Sequence, residues 1–209
     1  MGQLVVVNFV SLDGVMQSVL SADEDRDGGF DEGGWVLPYV DDVVERVMSE
    51  STAGAGALLL GRRTYEIFAG TWPYGDMDDP AVAAMNAMPK YVASRTLEDL
   101  RWANSVLLGA DLASEVSRVK AATQGETVVL GSGDLLRTLI EHDLVDEYRL
   151  LVFPLILGSG KRLFADGSTP RRLTLAATQP TPSGVLINTY HRTSDRADHE
   201  HGEPTRAQH

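Results

Sequence analysis

Two arginines and a threonine follow a glycine at the end of a short apolar run, and this segment is well suited to bind an anion. Residues 57–60 predict a buried strand that ends at Gly61, and a helical pattern begins at once. Such a joint places backbone N–H groups and the positive end of a helix beside Arg62, Arg63 and Thr64. A nucleotide phosphate is the anion typical of a strand-to-helix joint, and a tight turn with solvated arginines is the alternative.

A second joint of the same form occurs later in the chain. Residues 127–130 predict a strand, Gly131, Ser132 and Gly133 follow it, and residues 134–141 show the spacing of one apolar helix face. Glycine lets a backbone approach a ligand closely because it has no Cβ. The segment lacks the third glycine of the dinucleotide fingerprint and is weak evidence by itself. Two such joints in one chain favour a dinucleotide, because a dinucleotide carries several phosphates.

The length and charge of the chain limit its fold and its partners. Its 209 residues suit one domain, predicted over residues 1–192, followed by a polar segment at residues 193–209 that we expect to be disordered. The net charge is −12 and the isoelectric point is about 4.7. An acidic surface repels nucleic-acid phosphates and anionic lipid headgroups, so neither a nucleic-acid partner nor a membrane partner is expected.

The chain contains no cysteine, which excludes disulfides, thiolate catalysis and zinc–thiolate sites. The histidine pair His199 and His201 lies in the polar segment, and no metal site is predicted. No apolar run approaches the roughly 18 residues of a membrane helix, and the N-terminus shows no basic segment followed by an apolar one. A cytoplasmic protein is therefore expected.

Strand and helix patterns alternate through about residue 154, after which helix patterns stop. This order predicts an α/β fold, with a mostly parallel central sheet flanked by helices and antiparallel strands at the C-terminal end. Residues 21–34 are rich in Asp, Glu and Gly and predict a mobile acidic loop. The parallel strands are predicted at residues 3–10, 57–60, 90–93, 105–108, 127–130 and 148–153, and the antiparallel pair at residues 173–177 and 185–189.

Several motifs together resemble the dihydrofolate-reductase-like superfamily. In chain order they are Ser-Leu-Asp-Gly at 11–14, Gly-Trp-x-x-Pro at 34–38, Leu-Leu-Gly-Arg-x-Thr-Tyr-Glu at 59–66, Val-Leu-Gly-Ser-Gly-x-Leu at 129–135, Leu-Val-Asp-Glu at 144–147 and Pro-Leu-Ile-Leu-Gly-Ser-Gly-x-x-Leu-Phe at 154–164. Over about residues 3–191 the chain is most similar to the C-terminal reductase domain of the bifunctional riboflavin-biosynthesis deaminase-reductase, in a stand-alone form.

This resemblance implies a dihydrofolate-reductase-like fold and a reductase that uses NADPH. The residues that match cofactor-binding positions are Gly61, Arg62, Arg63 and Thr64 for cofactor phosphates, Ser94 and Arg95 for the adenosine 2′-phosphate, and Gly131, Ser132 and Gly133 for the pyrophosphate. An arginine at a strand end also favours NADP over NAD on chemical grounds, since a guanidinium binds an extra phosphate bidentately.

The implied substrate is a pyrimidine or pteridine-like heterocycle, and the family's reaction is that of 5-amino-6-(5-phosphoribosylamino)uracil reductase in riboflavin biosynthesis. Dihydrofolate reduction and NADPH binding without turnover remain as alternatives. Hydride transfer to a C=N or C=O bond also needs a proton for the other atom. Asp13, in the Ser-Leu-Asp-Gly motif, and Asp41 are the candidate catalytic residues. An Asp-Gly turn and a helix N-cap are their alternative roles, and Val40 stands where dihydrofolate reductases carry their acid.

Four aromatic residues are candidates for the walls of a substrate pocket: Trp35, Tyr39, Trp72 and Phe153. Aromatic residues also fill protein cores, and Trp72 is the best pocket candidate because it is predicted in a loop. The antiparallel strands near residues 173–191 offer an edge or a face for symmetric pairing. A homodimer is therefore expected, and the resemblance implies the same.

Overall fold

The computed structural model describes residues 2–164 and 166–193, and within these ranges the chain forms one eight-stranded sheet and five α-helices. The strands are β1 (Gln3–Ser11), β2 (Ala55–Gly61), β3 (Lys90–Ala93), β4 (Ser105–Leu107), β5 (Glu126–Leu130), β6 (Glu147–Phe153), β7 (Leu173–Pro180) and β8 (Leu186–Arg192). The helices are α1 (Asp42–Ala53), α2 (Arg62–Ala69), α3 (Pro80–Ala87), α4 (Leu112–Ala122) and α5 (Gly133–Glu141). Short 3-10 helices lie at Asp27–Gly29, Leu37–Tyr39 and Trp72–Tyr74.

The sheet is parallel on one side and antiparallel at its C-terminal side. Its order is β4-β3-β2-β5-β1-β6-β8-β7. Neighbours from β4 to β6 run parallel, whereas β8 is antiparallel to both β6 and β7. The predicted α/β fold with antiparallel C-terminal strands is thus confirmed. Because parallel strands end at the same edge of a sheet, the segments that follow β1, β2, β3 and β5 meet there.

The sheet separates two hydrophobic cores. Alternate residues of β1 point to opposite faces, so Val5 joins one core and Leu4 joins the other. The first core also contains buried residues of α1, α2 and α3, such as Val44, Tyr65 and Met85. The second contains buried residues of α4 and α5, such as Val116 and Leu136. Helices therefore cover both faces, as a parallel sheet requires.

Lys90, at the start of β3, is completely buried and has no carboxylate partner among the described residues. Its Nζ donates to the carbonyl oxygens of Asn86, Met88 and Ala103 at 2.9, 2.9 and 3.0 Å, and it lies 4.4 Å from the centre of a Trp102 ring. Burial lowers the pKa of this amine to about 8. These bonds tie α3 and the segment before β4 to the start of β3, and so help to position the residues that follow β3.

In residues 2–164 and 166–193 every helix is too short or too polar to cross a bilayer. The last strand ends at Arg192. The disordered segment predicted at residues 193–209 lies, apart from Thr193, outside the described residues.

Candidate functional site

A cleft of about 1160 Å³ opens where the parallel strands end. Its walls come from the ends of β1, β2, β3 and β5 and from helices α1, α2 and α5. All nine residues predicted to bind the cofactor line it: Gly61, Arg62, Arg63, Thr64, Ser94, Arg95, Gly131, Ser132 and Gly133. The structure thus brings these residues together, and their role in binding stays a prediction.

Hydrogen bonds join the two strand-to-helix joints into one unit. The Gly61 N–H donates to Ser132 Oγ at 3.0 Å, and the Ser132 N–H donates to Thr64 Oγ1 at 3.1 Å. Gly131 and Ser132 both adopt positive φ, and a Cβ on Gly131 would lie 3.2 Å from Thr64 Oγ1, so this close approach favours glycine. The N–H of Gly61 is therefore used within the protein, because Ser132 accepts from it.

Three of the five α-helices in the described residues begin with an aspartate cap, and the two at the centre of the cleft do not. The side chains of Asp41, Asp79 and Asp111 accept hydrogen bonds from first-turn N–H groups of α1, α3 and α4. Helices α2 and α5, which begin beside Gly61 and Ser132, have no side-chain cap. An uncapped first turn keeps N–H groups without intrahelical partners at the positive end of the helix dipole. The start of α2 is therefore open to an anion, whereas the first turn of α5 also carries the carboxylate of Asp134.

In the part of the chain that the structure describes, six cationic side chains line the cleft, and most of them already have an anionic partner. They are Arg62, Arg63, Arg95, Arg137, Lys161 and Arg162. Arg62 pairs with Glu66 at 3.1 Å, and Arg162 lies 3.6 Å from Asp13. Among the described residues no carboxylate lies within 4 Å of Arg95 or Arg137. Arg137 was not among the predicted binding residues, and its signal in the sequence is its position between the buried leucines of α5.

Arg63 and Lys161 are held by two aspartates of the acidic loop in a four-charge cluster, defined as Asp25, Asp27, Arg63 and Lys161. Asp25 accepts from Arg63 at 2.9 Å and from Lys161 at 2.6 Å. Asp27 pairs with Lys161 at 3.0 Å and also with Arg63. Hydrogen bonding to Asp27 and then to Asp25 raises the pKa of the Arg63 guanidinium. The predicted mobile loop is thus tied to α2 and to the turn that contains Lys161.

The two aspartates predicted to be catalytic make structural hydrogen bonds outside the cleft lining. Asp13 accepts from the Ser11 hydroxyl at 2.6 Å and from the N–H groups of Leu157 and Gly158 at 3.1 and 2.9 Å. The Ser11 bond, helped by these N–H groups, lowers the pKa of Asp13 to about 2 although burial opposes the shift. The carboxylate is therefore ionised at neutral pH and carries no proton to donate.

Asp41 is the N-cap of α1, which was its alternative role in the sequence. One carboxylate oxygen accepts from the N–H groups of Val43 and Val44, and the other accepts from Ser183 at 2.9 Å. The Val44 N–H, followed by Ser183, holds the pKa of Asp41 well below its usual range. The carboxylates of Asp13 and Asp41 both accept hydrogen bonds from backbone N–H groups, so the geometry argues against either residue as the proton donor.

Of the four aromatic residues predicted to wall the substrate pocket, only Trp72 lines the cleft. Phe153 is completely buried, and the rings of Trp35 and Tyr39 meet it edge-on with centroids 5.4 and 6.0 Å away. The Trp35 indole also donates to the Gln17 carbonyl at 2.8 Å. Trp35, Tyr39 and Phe153 thus pack together in the first hydrophobic core and do not line this cleft, and their predicted role in substrate binding stays a prediction.

Two further aromatic side chains and several carboxylates, Glu45 among them, line the described part of the cleft and were not predicted as site residues. Phe9 and Phe68 line it, and Phe68 packs against Trp72 at a centroid distance of 6.2 Å. Glu45 lies on α1 one turn after Asp41, and its side chain makes no hydrogen bond or ion pair with the described residues. Its signal in the sequence is its position four residues after Asp41, the predicted cap of the helix.

The fold and the position of the cleft define the class of the protein, which is the dihydrofolate-reductase-like class of α/β proteins. The structure resembles dihydrofolate reductase from Enterococcus faecalis complexed with NADP(H) and RAB-propyl, with a TM-score of 0.59 at 17% identity over 92% of this chain and 98% of that one. A pyrimidine reductase-like protein from Corynebacterium diphtheriae gives a TM-score of 0.60 at 13% identity, covering 93% of both chains.

The chain belongs to the RibD C-terminal domain family, whose model matches residues 3–187. A candidate riboflavin biosynthesis protein from Shewanella sp. PV-4 has a similar structure, with a TM-score of 0.64 at 19% identity over 92% of this chain and 99% of that one. Protein YyaP of Bacillus subtilis (strain 168) is 28% identical over 137 residues, which cover 64% of this chain and 72% of YyaP. The resemblance inferred from the motifs is thereby confirmed.

The carboxylate of Asp13 should stabilise the fold in a pH-dependent way. Because its pKa in the folded protein is about 2, below the ordinary 3.8, its contribution is present above pH 4 and is lost as the pH falls towards 2. Urea denaturation should show Asp13→Asn less stable than the wild type by about 1–2 kcal/mol at pH 7, with a smaller difference at pH 3.

Asp99→Asn is the matched control, because Asp99 is exposed and its side chain has no partner among the described residues. This variant should unfold like the wild type at both pH values. A deficit of Asp13→Asn that is equally large at pH 7 and pH 3 would contradict the assignment.

Proposed function

We propose that the protein is an NADPH-dependent reductase of a pyrimidine or pteridine-like heterocycle. The observation that carries this proposal is the pair of uncapped helix starts, at Gly61 and Ser132, which open into one cleft at the ends of parallel strands. Membership of the RibD C-terminal domain family supports a reductase of that type.

The charges and hydrogen-bond donors of the cleft fit the anionic groups of NADPH. The first turns of α2 and α5 offer N–H groups suited to a pyrophosphate. Arg95 and Arg137 have no carboxylate partner among the described residues and are available for a 2′-phosphate. Ser94 is less free, because its hydroxyl accepts from the N–H groups of Thr96 and Leu97. The Enterococcus faecalis relative, whose structure contains NADP(H), supports the same cofactor.

Removing Arg95 should weaken the binding of NADPH much more than that of NADH. A charged hydrogen bond to the 2′-phosphate is absent with NADH, so Arg95→Ala should raise the Kd for NADPH about 10- to 100-fold and leave the Kd for NADH nearly unchanged. Arg137→Ala should act in the same direction, and fluorescence titration with both cofactors measures both variants.

Arg118→Ala removes a cation from the exposed face of α4, where Arg118 pairs with Glu115, and serves as the control. It should bind both cofactors like the wild type. Equal affinity of the wild type for NADPH and NADH would refute the assignment of Arg95.

The cleft also offers walls and an acid for a planar ring. Phe9, Phe68 and Trp72 line it with aromatic surface, and Met48 lines it from α1. When bound, NADPH supplies the hydride, which reduces a carbon of the ring or its side chain, and the neighbouring nitrogen or oxygen then needs a proton. Glu45 and Asp134 are cleft carboxylates whose side chains have no partner among the described residues. Glu45 lies on α1 together with the wall residue Met48, whereas Asp134 lies in the first turn of α5, so we assign the proton delivery to Glu45.

Glu45→Gln should lower turnover about 100-fold, a typical share for a positioned acid, while the Kd for NADPH stays unchanged. The change keeps the size of the side chain and removes its acidic proton. NADPH oxidation followed across pH, together with cofactor titration, measures both effects.

Glu50→Gln lies on the same helix and removes a carboxylate that pairs with Arg46 away from the cleft. This control should turn over like the wild type. Full activity of Glu45→Gln would show that the proton comes from another group or from water.

One observation favours NADPH binding without turnover as a second candidate function. Asp13 and Asp41, the two carboxylates predicted to donate the proton, both serve as hydrogen-bond acceptors for the backbone. A panel of aminopyrimidines and pteridines, with dihydrofolate included, separates the candidates. Oxidation of NADPH with any member supports a reductase, and saturable NADPH binding with no oxidation supports the second function.

We also propose that two copies of the chain pair through β7. This strand forms one edge of the sheet, seven of its eight residues are exposed, and its sequence LTLAATQP carries no charge. Edge strands of monomeric proteins are usually protected by charges, bulges or coverage. Within the described part of the chain, the irregularity in pairing between Leu175 and Ala177 is the protection that β7 shows.

Light scattering at micromolar concentration should therefore give twice the chain mass of 22.6 kDa. Thr178→Lys places a charge on the edge and should shift the mass to that of a monomer. Leu107→Lys, an exposed position on the opposite edge strand β4, should leave the dimer intact. A wild-type mass of 22.6 kDa would refute the pairing.

A further inference from the structure

The four-charge cluster is built into the fold and is not a chance set of surface contacts. The Gln17 side chain is almost completely buried, and its Nε2 donates to the carbonyl oxygens of both Asp25 and Asp27 at 3.0 Å. Its Oε1 accepts from the Lys161 N–H at 2.9 Å. One amide therefore fixes the acidic loop and the Lys161 turn against each other.

The turn before Lys161 is fixed as well. Gly160 has a φ of +116°, and a Cβ at this residue would lie 2.7 Å from Val15 and 3.0 Å from the ring of Phe30. Phe30 belongs to the acidic loop and is buried. The backbone on both sides of the cluster is thus held by packing and hydrogen bonds, which favours a persistent ion-pair network over isolated surface pairs.

The distribution of charge divides the cleft into two parts. At Arg63 and Lys161, two carboxylates balance two cations, so this part carries no uncompensated positive charge. Arg63, which the resemblance assigned to a cofactor phosphate, is thus already neutralised by the chain itself. Arg95 and Arg137 are the cleft cations without a carboxylate partner among the described residues. If both serve NADPH, every other described cation of the cleft is already paired.

We propose that Asp25 and Asp27 act as internal counter-anions that exclude a phosphate from Arg63 and Lys161, so that the substrate of the enzyme is an unphosphorylated heterocycle. The statement about the substrate rests on the proposed reductase function. The exclusion of phosphate concerns binding alone and does not depend on that function. A phosphate at these cations would lie against two carboxylates and would be repelled by both.

Calorimetric titration with inorganic phosphate tests the exclusion directly. The protein is first saturated with NADP⁺, which occupies the phosphate-binding parts of the cleft, and the titration is made at low ionic strength because such interactions are screened by salt. Asp25→Asn/Asp27→Asn should bind phosphate at least about tenfold more tightly than the wild type, since charged hydrogen bonds from Arg63 and Lys161 become available.

Asp23→Asn/Asp31→Asn is the matched control, because it removes the same two charges from the same loop without touching the cluster. It should bind phosphate like the wild type. An equal gain in both double variants, or no gain in Asp25→Asn/Asp27→Asn, would overturn the proposal. Reading out NADPH oxidation separately shows whether the reductase function itself fails, because the phosphate titration needs no turnover.

A second measurement uses only the wild type and does not depend on how the variants fold. Uridine and uridine 5′-monophosphate are compared as ligands of the NADP⁺ complex. We expect the phosphate to give no gain in affinity over uridine. Tighter binding of the monophosphate by about tenfold or more would overturn the proposal, since it would reveal an available cationic site in the substrate part of the cleft.

Discussion

The side chain of Ser132 holds the two halves of the cleft together. Its hydroxyl accepts from the N–H of Gly61, its backbone N–H donates to Thr64, and its left-handed conformation turns the chain from β5 into α5. The starts of α2 and α5 are therefore fixed side by side, although 71 residues separate Gly61 from Ser132. The cleft depends on this contact, because an anion can use both helix starts only if their spacing is set in advance.

Charge is organised around this contact in a protein that is strongly acidic overall, with a net charge of −12. Aspartates cap the helices that begin away from the centre of the cleft and pair with the cations that face the acidic loop. Positive potential is consequently left at two helix starts and at Arg95 and Arg137. The cleft is thus a confined positive region within a surface that repels anions. This arrangement favours small anionic ligands over extended polyanions.

The sequence was sufficient to predict the strands, the two glycine-containing joints and their meeting at one edge, since each depends on local periodicity and on the rule that parallel strands end together. The roles of individual side chains depended on distant partners. Asp41 accepts a hydrogen bond from the Ser183 N–H, and Asp13 accepts from the N–H groups of Leu157 and Gly158. No spacing in the sequence shows these contacts.

Burial was equally hard to predict for large side chains. Phe153 lies in an apolar run of the sequence that is compatible with a pocket wall and with a core position. The rings of Trp35 and Tyr39 that pack against it show that it belongs to the core. Lys90 was predicted as an ordinary strand residue, yet its amine is buried among three carbonyl oxygens. Glu45 and Arg137 were not predicted as site residues, because a position near a helix cap or between apolar helix residues does not distinguish a cleft from open water.

Gly61 shows how stability and ligand binding oppose each other in this cleft. Its backbone is extended, and a Cβ there would meet its nearest neighbours at 3.5 Å, which is ordinary contact, so packing alone does not require glycine. A serine or aspartate at this residue could cap α2 and would stabilise the folded chain by about a few tenths of a kcal/mol. The same side-chain oxygen would stand at the helix start that we propose for a phosphate of NADPH. A library of variants sorted by heat resistance alone would therefore enrich residues that close the site.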